Sequence, residues 1–504
     1  MSEARPAAPA VLADLRARGI EPYPHAYRVT HRAADILAWS DQVTAEEGAE
    51  VAIAGRLMAK RGHGKAGFAH LLDATGRIQI YGREDVLGPE RYALFDSLSV
   101  GDWVGVAGRV FRTRTGEITV KAHEVTLLAK ALRPMPDTWH GLQDTETRYR
   151  QRYVDLFMNP EVRETFRRRT KIVATMRRFL DARGYLEVET PILQPLYGGA
   201  FARPFTTHHN ALDTELFLRI SDELYLKRLI VGGFEKVYEF SRDFRNEGID
   251  RSHNPEFTIL ELYEAYADYE DMMRLTEAML VECIQEVRGT TLIEYQGTRL
   301  DFTPPWRRLS MLEAVSQAVG EDVSDLDPAR LERLVKKHGI DSDPKGGVGG
   351  RLDDLFSELV QPKLVQPTFV LDHPKEISPL AKVNRRHPQL VERFEPFVAG
   401  MEIGNAFSEQ TDPVAQEQAF DRQAEVRAAG NEEAQPKDKD FLRALQYGMP
   451  PTGGLGIGLD RFTMIVTDSR SIRDVILFPQ LRPEEDREGE GAEGRSAEDL
   501  PARA

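Results

Sequence analysis

The alternation of apolar and polar residues that begins at Val51 constrains the fold of this chain more than any other feature. Val51, Ile53, Gly55 and Leu57 occupy every second position, which is the spacing of a strand with one buried face. Glycine-containing turns separate four further strand-like runs, at residues 68–73, 77–81, 102–111 and 117–122. Five short strands in about 75 residues predict a small closed barrel.

The order of elements around this barrel predicts an α+β fold. A helix is expected over residues 11–18, ended by Gly19, and a longer one over residues 165–183, ended by Gly184. The apolar positions of the longer helix form one stripe, made of Ile172, Val173, Met176, Phe179 and Leu180. Strands and helices then follow in blocks, which favours a mainly antiparallel sheet flanked by helices. We assign a helical lead-in (1–50), an oligonucleotide-binding (OB) type barrel (51–130), a connector (131–164), a large α+β domain (165–482, with a helical insertion at about 305–365) and a disordered acidic tail (483–504).

Composition and charge exclude several classes of protein. The single cysteine, Cys283, permits no internal disulfide, and no apolar run approaches the ~18 residues of a membrane span. We therefore expect a cytoplasmic protein that contacts no membrane. The formal net charge of −15 argues against general nucleic-acid binding, yet residues 51–130 carry 12 basic and 8 acidic side chains. A basic front on an acidic body fits either a polyanion bound at one end or a solvated surface alone.

Two neighbouring segments carry charge on predicted strands. Arg245 and Glu247 share one face of the first strand. One face of the second strand carries Phe257, Ile259, Glu261 and Tyr263. Charge on an interior face is costly unless a ligand or partner satisfies it. The hairpin therefore predicts a binding site, with exposed strands and ordinary charge pairs as the alternative.

A third segment carries two glutamates and then an alternating series: Glu395, Glu402, Asn405, Phe407 and Glu409. Glu402 has the opposite parity from the series, so a bulge near Gly404 is needed to bring all five onto one face. Two carboxylates that converge on phosphates imply Mg²⁺, which takes hard oxygen ligands.

The last segment of interest is a glycine-rich strand, residues 453–458, that passes into a helix with Arg461 in its first turn. Glycines allow close approach of a backbone, and a helix start with a guanidinium favours phosphate. Glycine-rich segments can also be plain tight packing.

These segments together resemble the three signature motifs of class II aminoacyl-tRNA synthetases. The first motif resembles residues 184–191, the second the hairpin from Phe244 through Phe257, and the third the turn from Gly456 to Arg461. Within that class, the sequence is most similar to bacterial-type lysyl-tRNA synthetases, over residues 11–482. Segments that carry this likeness include 141–144, 148–153, 225–229 and 402–405. The resemblance implies an OB-fold anticodon-binding domain followed by a class II catalytic domain.

The resemblance also implies the reaction and the residues that perform it. L-lysine and ATP would give lysyl-adenylate, and lysine would pass to the 3′ end of lysine tRNA. Arg245 and Arg461 would be catalytic, and up to three Mg²⁺ ions would bind at Glu395 and Glu402. The ATP-binding set would be Arg245, Glu247, His253, Asn254, Phe257, Glu395, Glu402 and Arg461. The lysine-binding set would be Gly199, Glu223, Arg245, Glu261, Tyr263, Asn405, Phe407, Glu409 and Gly456.

The barrel and the first motif carry two further expectations. By resemblance the barrel reads the anticodon, with Arg56, Phe68, Gln79 and Glu117 as candidate contacts. A phenylalanine in a barrel is as often part of the core, so the sequence predicts either that Phe68 contacts the anticodon or that it packs inside the barrel. The helix over residues 165–183 lies in the region that forms the two-fold interface of this class, which implies a homodimer.

Other readings of the sequence remain open. A paralogue that lysylates a protein would lack the N-terminal barrel, and a catalytically inactive RNA-binding relative would not retain the costly charges of Arg245, Arg461 and the glutamates. His208 and His209 lack companions at zinc spacing, and residues 346–350 lack the Lys-Ser/Thr of a phosphate loop. Cys283 on a predicted helix is expected to pack in the core.

Overall fold

The structure is a computed structural model that describes residues 8–136, 142–343, 346–428, 433 and 435–483. The chain divides into two compact units, Met1–Gln143 and Asp144–Ala504. In the part of the chain that is described, no helix combines the length and the apolar character that crossing a membrane requires. From residue 484 onward the tail predicted to be disordered lies outside the described residues, as does Gly141 of the segment 141–144.

The first unit contains the predicted barrel. Its elements are helices α1 (Ala8–Ala17) and α2 (Ala33–Leu37), strands β1 (Glu50–His63), β2 (Ala66–Leu72) and β3 (Arg77–Arg83), helices α3 (Glu84–Leu87) and α4 (Pro89–Ser97), and strands β4 (Trp103–Arg112) and β5 (Ile118–Ala129). The strands close in the order β1-β2-β3-β5-β4. Alternate residues such as Val51, Ile53 and Leu57 fill the interior, because successive side chains of a strand point to opposite faces. The predicted closed barrel is confirmed, and α1 begins three residues before the predicted start.

The second unit begins with helices where the sequence predicted a polar connector. These are α5 (Thr145–Arg150), α6 (Arg152–Met158) and α7 (Pro160–Asp181). The predicted start of the long helix at Thr165 is wrong by five residues. Asn159 stands at the N-cap position and Pro160 in the first turn, where a proline loses no intrahelical hydrogen bond.

A large, mainly antiparallel sheet organises this unit. Its strands and those of two small sheets are β6 (Leu186–Glu187), β7 (Leu193–Gln194), β8 (Thr206–His209), β9 (Thr214–Leu218), β10 (Lys236–Phe244), β11 (Glu256–Ala265), β12 (Leu292–Tyr295), β13 (Thr298–Asp301), β14 (Arg307–Ser310), β15 (Thr368–Leu371), β16 (Arg393–Val398), β17 (Met401–Glu402), β18 (Gly404–Ser408) and β19 (Thr452–Gly458). The large sheet runs β14-β15-β16-β18-β19-β11-β10-β6, with β17 paired to β16. The strand pairs at its two edges, β14–β15 and β10–β6, are parallel.

Helices flank this sheet. They are α8 (Glu223–Val231), α9 (Tyr269–Arg288), α10 (Met311–Val319), α11 (Pro328–His338), α12 (Gly347–Leu359), α13 (Pro413–Ala428), α14 (Lys439–Gln446), α15 (Leu459–Thr467) and α16 (Ile472–Val475). The stripe of α7 packs on α9 and the sheet, and Ile172, Met176 and Leu180 are fully buried. Cys283 on α9 lies in the same core, as predicted. The stretch predicted as a helical insertion also contributes β14 to the sheet.

One irregularity in the sheet decides which side chains share a face. On β16, Phe397 pairs with Glu402 on β17, whereas Phe394 pairs with Ala406 on β18. Between these two pairs, two residues of β16 therefore oppose three on the other side, so one extra residue lies between β17 and β18. This confirms the bulge predicted near Gly404, and it turns Glu402 to the same face as the series that follows.

Candidate active site

All the site residues predicted in the second unit line one cavity of about 330 Å³ on the face of the large sheet. The shared lining includes Gly199, Glu223, Arg245, Glu247, His253, Asn254, Phe257, Glu261, Tyr263, Glu395, Glu402, Asn405, Phe407, Glu409, Gly456 and Arg461. Strand pairing explains the convergence, because directly opposed residues point to the same face. Gly456 lies opposite Glu261 across β19 and β11, and also opposite Asn405 across β19 and β18.

Arg245 forms part of the cationic end of the cavity from a loop. We predicted Arg245 and Glu247 on a strand, but β10 ends at Phe244, so this prediction is wrong. The backbone N–H of Arg245 donates to Pro255 O (2.9 Å), and that of Glu247 donates back to Arg245 O (2.9 Å), which bends the chain out of the extended form. The guanidinium lies 5.0 Å from the centre of the Phe257 ring.

Arg461 completes the cationic end from the first turn of α15. Its Nη1 donates to the backbone O of Glu402 (2.9 Å), and its Nη2 donates to Nε2 of His253 (3.0 Å). Since Nε2 accepts, the proton of the neutral imidazole is on Nδ1, which donates to Asp250 (2.7 Å). These contacts hold the Arg461 side chain in place and aim it along the cavity wall.

Three buried glutamates form the opposite, anionic end. Glu223 begins α8, Glu261 lies on β11 and Glu409 follows β18, and each is at most 7% exposed. The Tyr263 O–H donates to Glu261 (2.7 Å). Burial raises the pKa of Glu261 to about 8, and the charges of Glu223 and Asp243 add to the effect. Carboxylates held this far from water bind a cation strongly.

Glu395 and Glu402 form a second acidic pair, and Glu402 Oε2 lies 3.4 Å from Arg461 Nη1 at the cationic end. Arg393 donates to Glu395 (2.5 Å) and to Asn405 Oδ1 (2.9 Å). Enclosure in the cavity and the charge of Glu395 raise the pKa of Glu402. Among the described residues, no group of three or more His, Cys, Asp or Glu side chains is arranged to hold a metal ion. Mg²⁺ takes one or two carboxylates together with substrate phosphates, so the pair fits this ion when a nucleotide supplies the remaining oxygens.

In the first unit, Phe68 lies on the outer side of the barrel. Its neighbour Ala69 is buried inside, and the Phe68 ring stacks on Tyr81 with 4.4 Å between centroids. Gln79 donates to Glu117 (2.7 Å), which also contacts His70 (3.0 Å). Phe68 is therefore a surface aromatic side chain beside a polar cluster, and the core interpretation is wrong.

Arg56 is not part of this cluster. It pairs with Leu72 on β2, donates to Gly101 O (3.0 Å) and lies 5.0 Å from the Trp103 ring. The residue opposite Phe68 on β1 is Arg61, about five residues or roughly 15 Å further along the strand. The sequence carried a signal for Arg61, since it stands one short hairpin before Phe68.

A family model described as "tRNA synthetases class II (D, K and N)" matches residues 144–482, and one described as an OB-fold nucleic acid binding domain matches residues 51–128. The chain belongs to the class II tRNA synthetases. The OB-fold and α+β assignments are thereby confirmed.

Curated relatives of this class II synthetase chain span nearly its whole length. A protein of Carboxydothermus hydrogenoformans is 55% identical over 473 residues, 94% of this chain and 96% of its own. A protein of Pelotomaculum thermopropionicum is 56% identical over 94% of both chains. One of Bacillus subtilis is 52% identical, over 93% of this chain and 95% of its own. Each of the three is named "Lysine--tRNA ligase".

Sequence reasoning missed several polar residues around the cavity of this class II synthetase. Arg393 and Gln435 line it, and Gln435 Oε1 accepts the backbone N–H of Gly199 (3.2 Å). Lys227 lies behind the lining and contacts both Glu223 and Glu409. Of these, Arg393 had a signal, since it stands two residues before Glu395 on one strand. His208 and His209 lie exposed on β8.

Proposed function

We propose that this chain is a lysine–tRNA ligase, which activates L-lysine with ATP and transfers it to tRNA. One observation carries the proposal. A single cavity has two guanidinium groups, Arg245 and Arg461, at one end and three buried glutamates at the other. The first end suits the phosphates of a nucleotide, and the second suits a cationic amino-acid side chain. The names of the relatives, which span nearly the whole chain, support the same reaction.

The nucleotide end would bind and activate ATP. The lysine carboxylate is ionised at neutral pH, so its attack on the α-phosphate needs no general base. It needs alignment with the leaving pyrophosphate and neutralisation of charge. Arg245 would bridge the carboxylate and the α-phosphate, and Arg461 would hold the γ-phosphate. The remaining nucleotide contacts would be Phe257, stacked on the adenine, with Glu247, His253 and Asn254.

The anionic end would select lysine. Glu261, Tyr263 and Glu409 would bind the ε-ammonium, while Glu223 and the backbone at Gly199 would bind the α-ammonium. The walls between them would be Asn405, Phe407 and Gly456. Aspartate carries the wrong charge for such a pocket, and asparagine lacks the positive charge that would offset the cost of burying the carboxylates.

Glu395 and Glu402 would hold Mg²⁺, of which the resemblance suggests up to three ions. When bound, the ion would neutralise charge on the phosphate oxygens. Arg393 already contacts Glu395 and Asn405, so it would keep the first of the two carboxylates oriented toward the cavity.

The barrel would recognise the anticodon of lysine tRNA. Phe68 offers an outward-facing ring for stacking, and beside it the buried Gln79 donates to the more exposed Glu117. Single-stranded bases are read by such stacking and edge contacts. Arg56 stays a further candidate, and Arg61, which lies opposite Phe68, is added to it.

A homodimer, active in the cytoplasm, would be the functional form. Around the first motif, an apolar patch is formed by Leu186, Ile192 and Leu193, each at least 44% exposed in the single chain. Contiguous exposed apolar side chains favour association, and closed two-fold dimers are the commonest solution.

The decisive experiment is aminoacylation of total tRNA with each of the twenty amino acids. We expect lysine alone to be attached, and lysine alone to support ATP–pyrophosphate exchange. Exchange without transfer to tRNA would exclude the ligase while keeping the activation step. Preference for aspartate or asparagine would overturn the assignment of the anionic end.

A further inference from the structure

Lys227 lies directly behind the anionic end of the cavity. It belongs to α8, its side chain is fully buried, and it is not part of the cavity lining. Its Nζ forms ion pairs with both Glu223, one turn earlier on the same helix, and Glu409, which follows β18. One ammonium group therefore joins the two carboxylates that we assign to opposite ends of the lysine substrate.

Two aromatic side chains enclose the same ammonium group. Nζ lies 5.3 Å from the centre of the Phe407 ring and 6.0 Å from that of Tyr263, within the range of a cation–π contact. Burial opposes the charge, but Glu223 and then Glu409 raise the pKa of Lys227 above its usual value. Lys227 thus remains an ammonium ion and holds four lining residues, from α8, β11, β18 and the position after β18, in one arrangement.

The charges around the pocket give this arrangement a specific consequence. Three carboxylates, Glu223, Glu261 and Glu409, face the anionic end, and Lys227 cancels one of their negative charges. The two that remain match the two ammonium groups of lysine, while Arg245 is left for the substrate carboxylate. Without Lys227, the paired carboxylates of Glu223 and Glu409 would repel each other, turn aside or take up a proton.

We propose that Lys227 is a positioning residue that sets lysine affinity by fixing Glu223 and Glu409 and by cancelling one negative charge, so that the lysine-bound pocket carries two. This inference rests on the proposed function. It concerns ground-state binding of the amino acid, since Lys227 touches neither the cavity nor the cationic end where ATP reacts.

The test is Lys227→Met, which keeps the length of the side chain and removes the charge. In lysine-dependent ATP–pyrophosphate exchange we expect KM for lysine to rise at least tenfold, kcat to change less than threefold and KM for ATP to stay within twofold of wild type. A role in folding alone would lower the thermal midpoint and the active fraction but leave KM for lysine unchanged.

Lys236→Met is the matched control. Lys236 also pairs with a glutamate, Glu264 (2.7 Å), and lies 5.3 Å from an aromatic ring, that of Tyr185, but it does not line the cavity or contact its lining carboxylates. We expect it to keep the wild-type KM for lysine. An unchanged KM in Lys227→Met, or equal rises for lysine and ATP, would overturn the inference. Absence of lysine-dependent exchange in the wild-type enzyme would instead overturn the proposed function.

Discussion

Glu261 is one of the buried side chains that we assign to lysine, and burial raises its pKa to about 8. Its neighbours on β10, Glu239 and Asp243, share the same face of the hairpin and pair with Arg219. One arginine thus serves two acids beside it, and among the described residues no Lys, Arg or His forms an ion pair with Glu261, although the nearby charge of Lys227 partly offsets the rise in its pKa. We therefore expect Glu261 to release its proton when an ammonium group binds beside it.

This exchange predicts pH-dependent lysine binding. With the pKa of Glu261 near 8 in the substrate-free cavity, most molecules hold a proton there at pH 7. A bound ammonium favours the carboxylate, so binding releases a proton. The Kd for lysine should fall as pH rises from 6.5 to 8, by up to about tenfold per unit. Calorimetry in buffers of different ionisation enthalpy measures both effects.

The control for this prediction is Glu261→Gln, which has no proton to release. We expect it to bind lysine weakly at every pH, with a flat profile and nearly unchanged ATP affinity. A wild-type profile that is equally flat would remove Glu261 from the lysine site.

For Arg245 we predict an effect on the reaction rate, because this residue would contact the reacting atoms. Replacing it with alanine removes one charged donor from the transition state, which is worth about 3–4 kcal/mol. ATP–pyrophosphate exchange by Arg245→Ala should therefore slow by 10²–10³-fold. Arg242→Ala, an exposed arginine on the same strand pair, is the control and should react at nearly the wild-type rate.

Strand β19 explains how the side chains of its two neighbouring strands fit into one cavity. Its glycines leave room for the side chains of β11 and β18 on either side. A Cβ on Gly454 would overlap the Glu409 carboxylate and lie 2.6 Å from a ring carbon of Tyr263. A Cβ on Gly458 would meet only Ile403 O, at 3.8 Å.

These contacts predict different results for two glycine substitutions on one strand. Gly454→Ala should displace Glu409 or Tyr263 and raise KM for lysine at least tenfold, while Gly458→Ala should change it less than twofold. Steady-state exchange kinetics distinguish them. Equal behaviour of the two variants would mean that the pocket can shift to accept a methyl group.

The hairpin of β2 and β3 carries the prediction for tRNA. Phe68→Ala should remove a stacking platform worth ~1–3 kcal/mol, and so reduce kcat/KM for tRNA by tenfold or more. Adenylate formation should remain at the wild-type level, because the barrel residues do not line the catalytic cavity. Loss of both activities together would show that the variant fails to fold.

The strand and helix patterns predicted which elements form better than they predicted where each element ends and which residues of two strands lie opposite each other. The alternation of side chains along each strand predicted that Glu261, Tyr263, Asn405 and Glu409 line one site. The same alternation required the bulge. Parity gives no register between strands, so it could not show that Arg61 is the residue opposite Phe68. Nor could it show that Arg245 leaves the strand, since hydrogen bonds within the loop decide that turn. No local sequence pattern marked Lys227, because its burial depends on pairing with Glu409, 182 positions away in the chain.

The whole molecule consists of two units with separate cores. The second unit leaves apolar side chains uncovered at β6 and β7. Light scattering at micromolar concentration should give twice the chain mass of 56.9 kDa. A monomer under those conditions would contradict the proposed dimer.

The same patch offers a way to test where the subunits meet. Leu193→Asp puts a charge into the patch and should shift the mass toward the monomer. Tyr447→Asp also replaces an exposed apolar residue, which is 84% exposed and follows α14, but it lies outside the patch and should leave the mass unchanged.

The extra residue between β17 and β18 makes this enzyme sensitive to changes of chain length at one point. A deletion of a single codon there would restore even pairing and rotate either Glu402 or the series from Asn405 to Glu409 toward the opposite side of the sheet. The metal-facing and amino-acid-facing groups would no longer share one chamber. Homologous chains should therefore tolerate substitutions in this stretch far better than insertions or deletions.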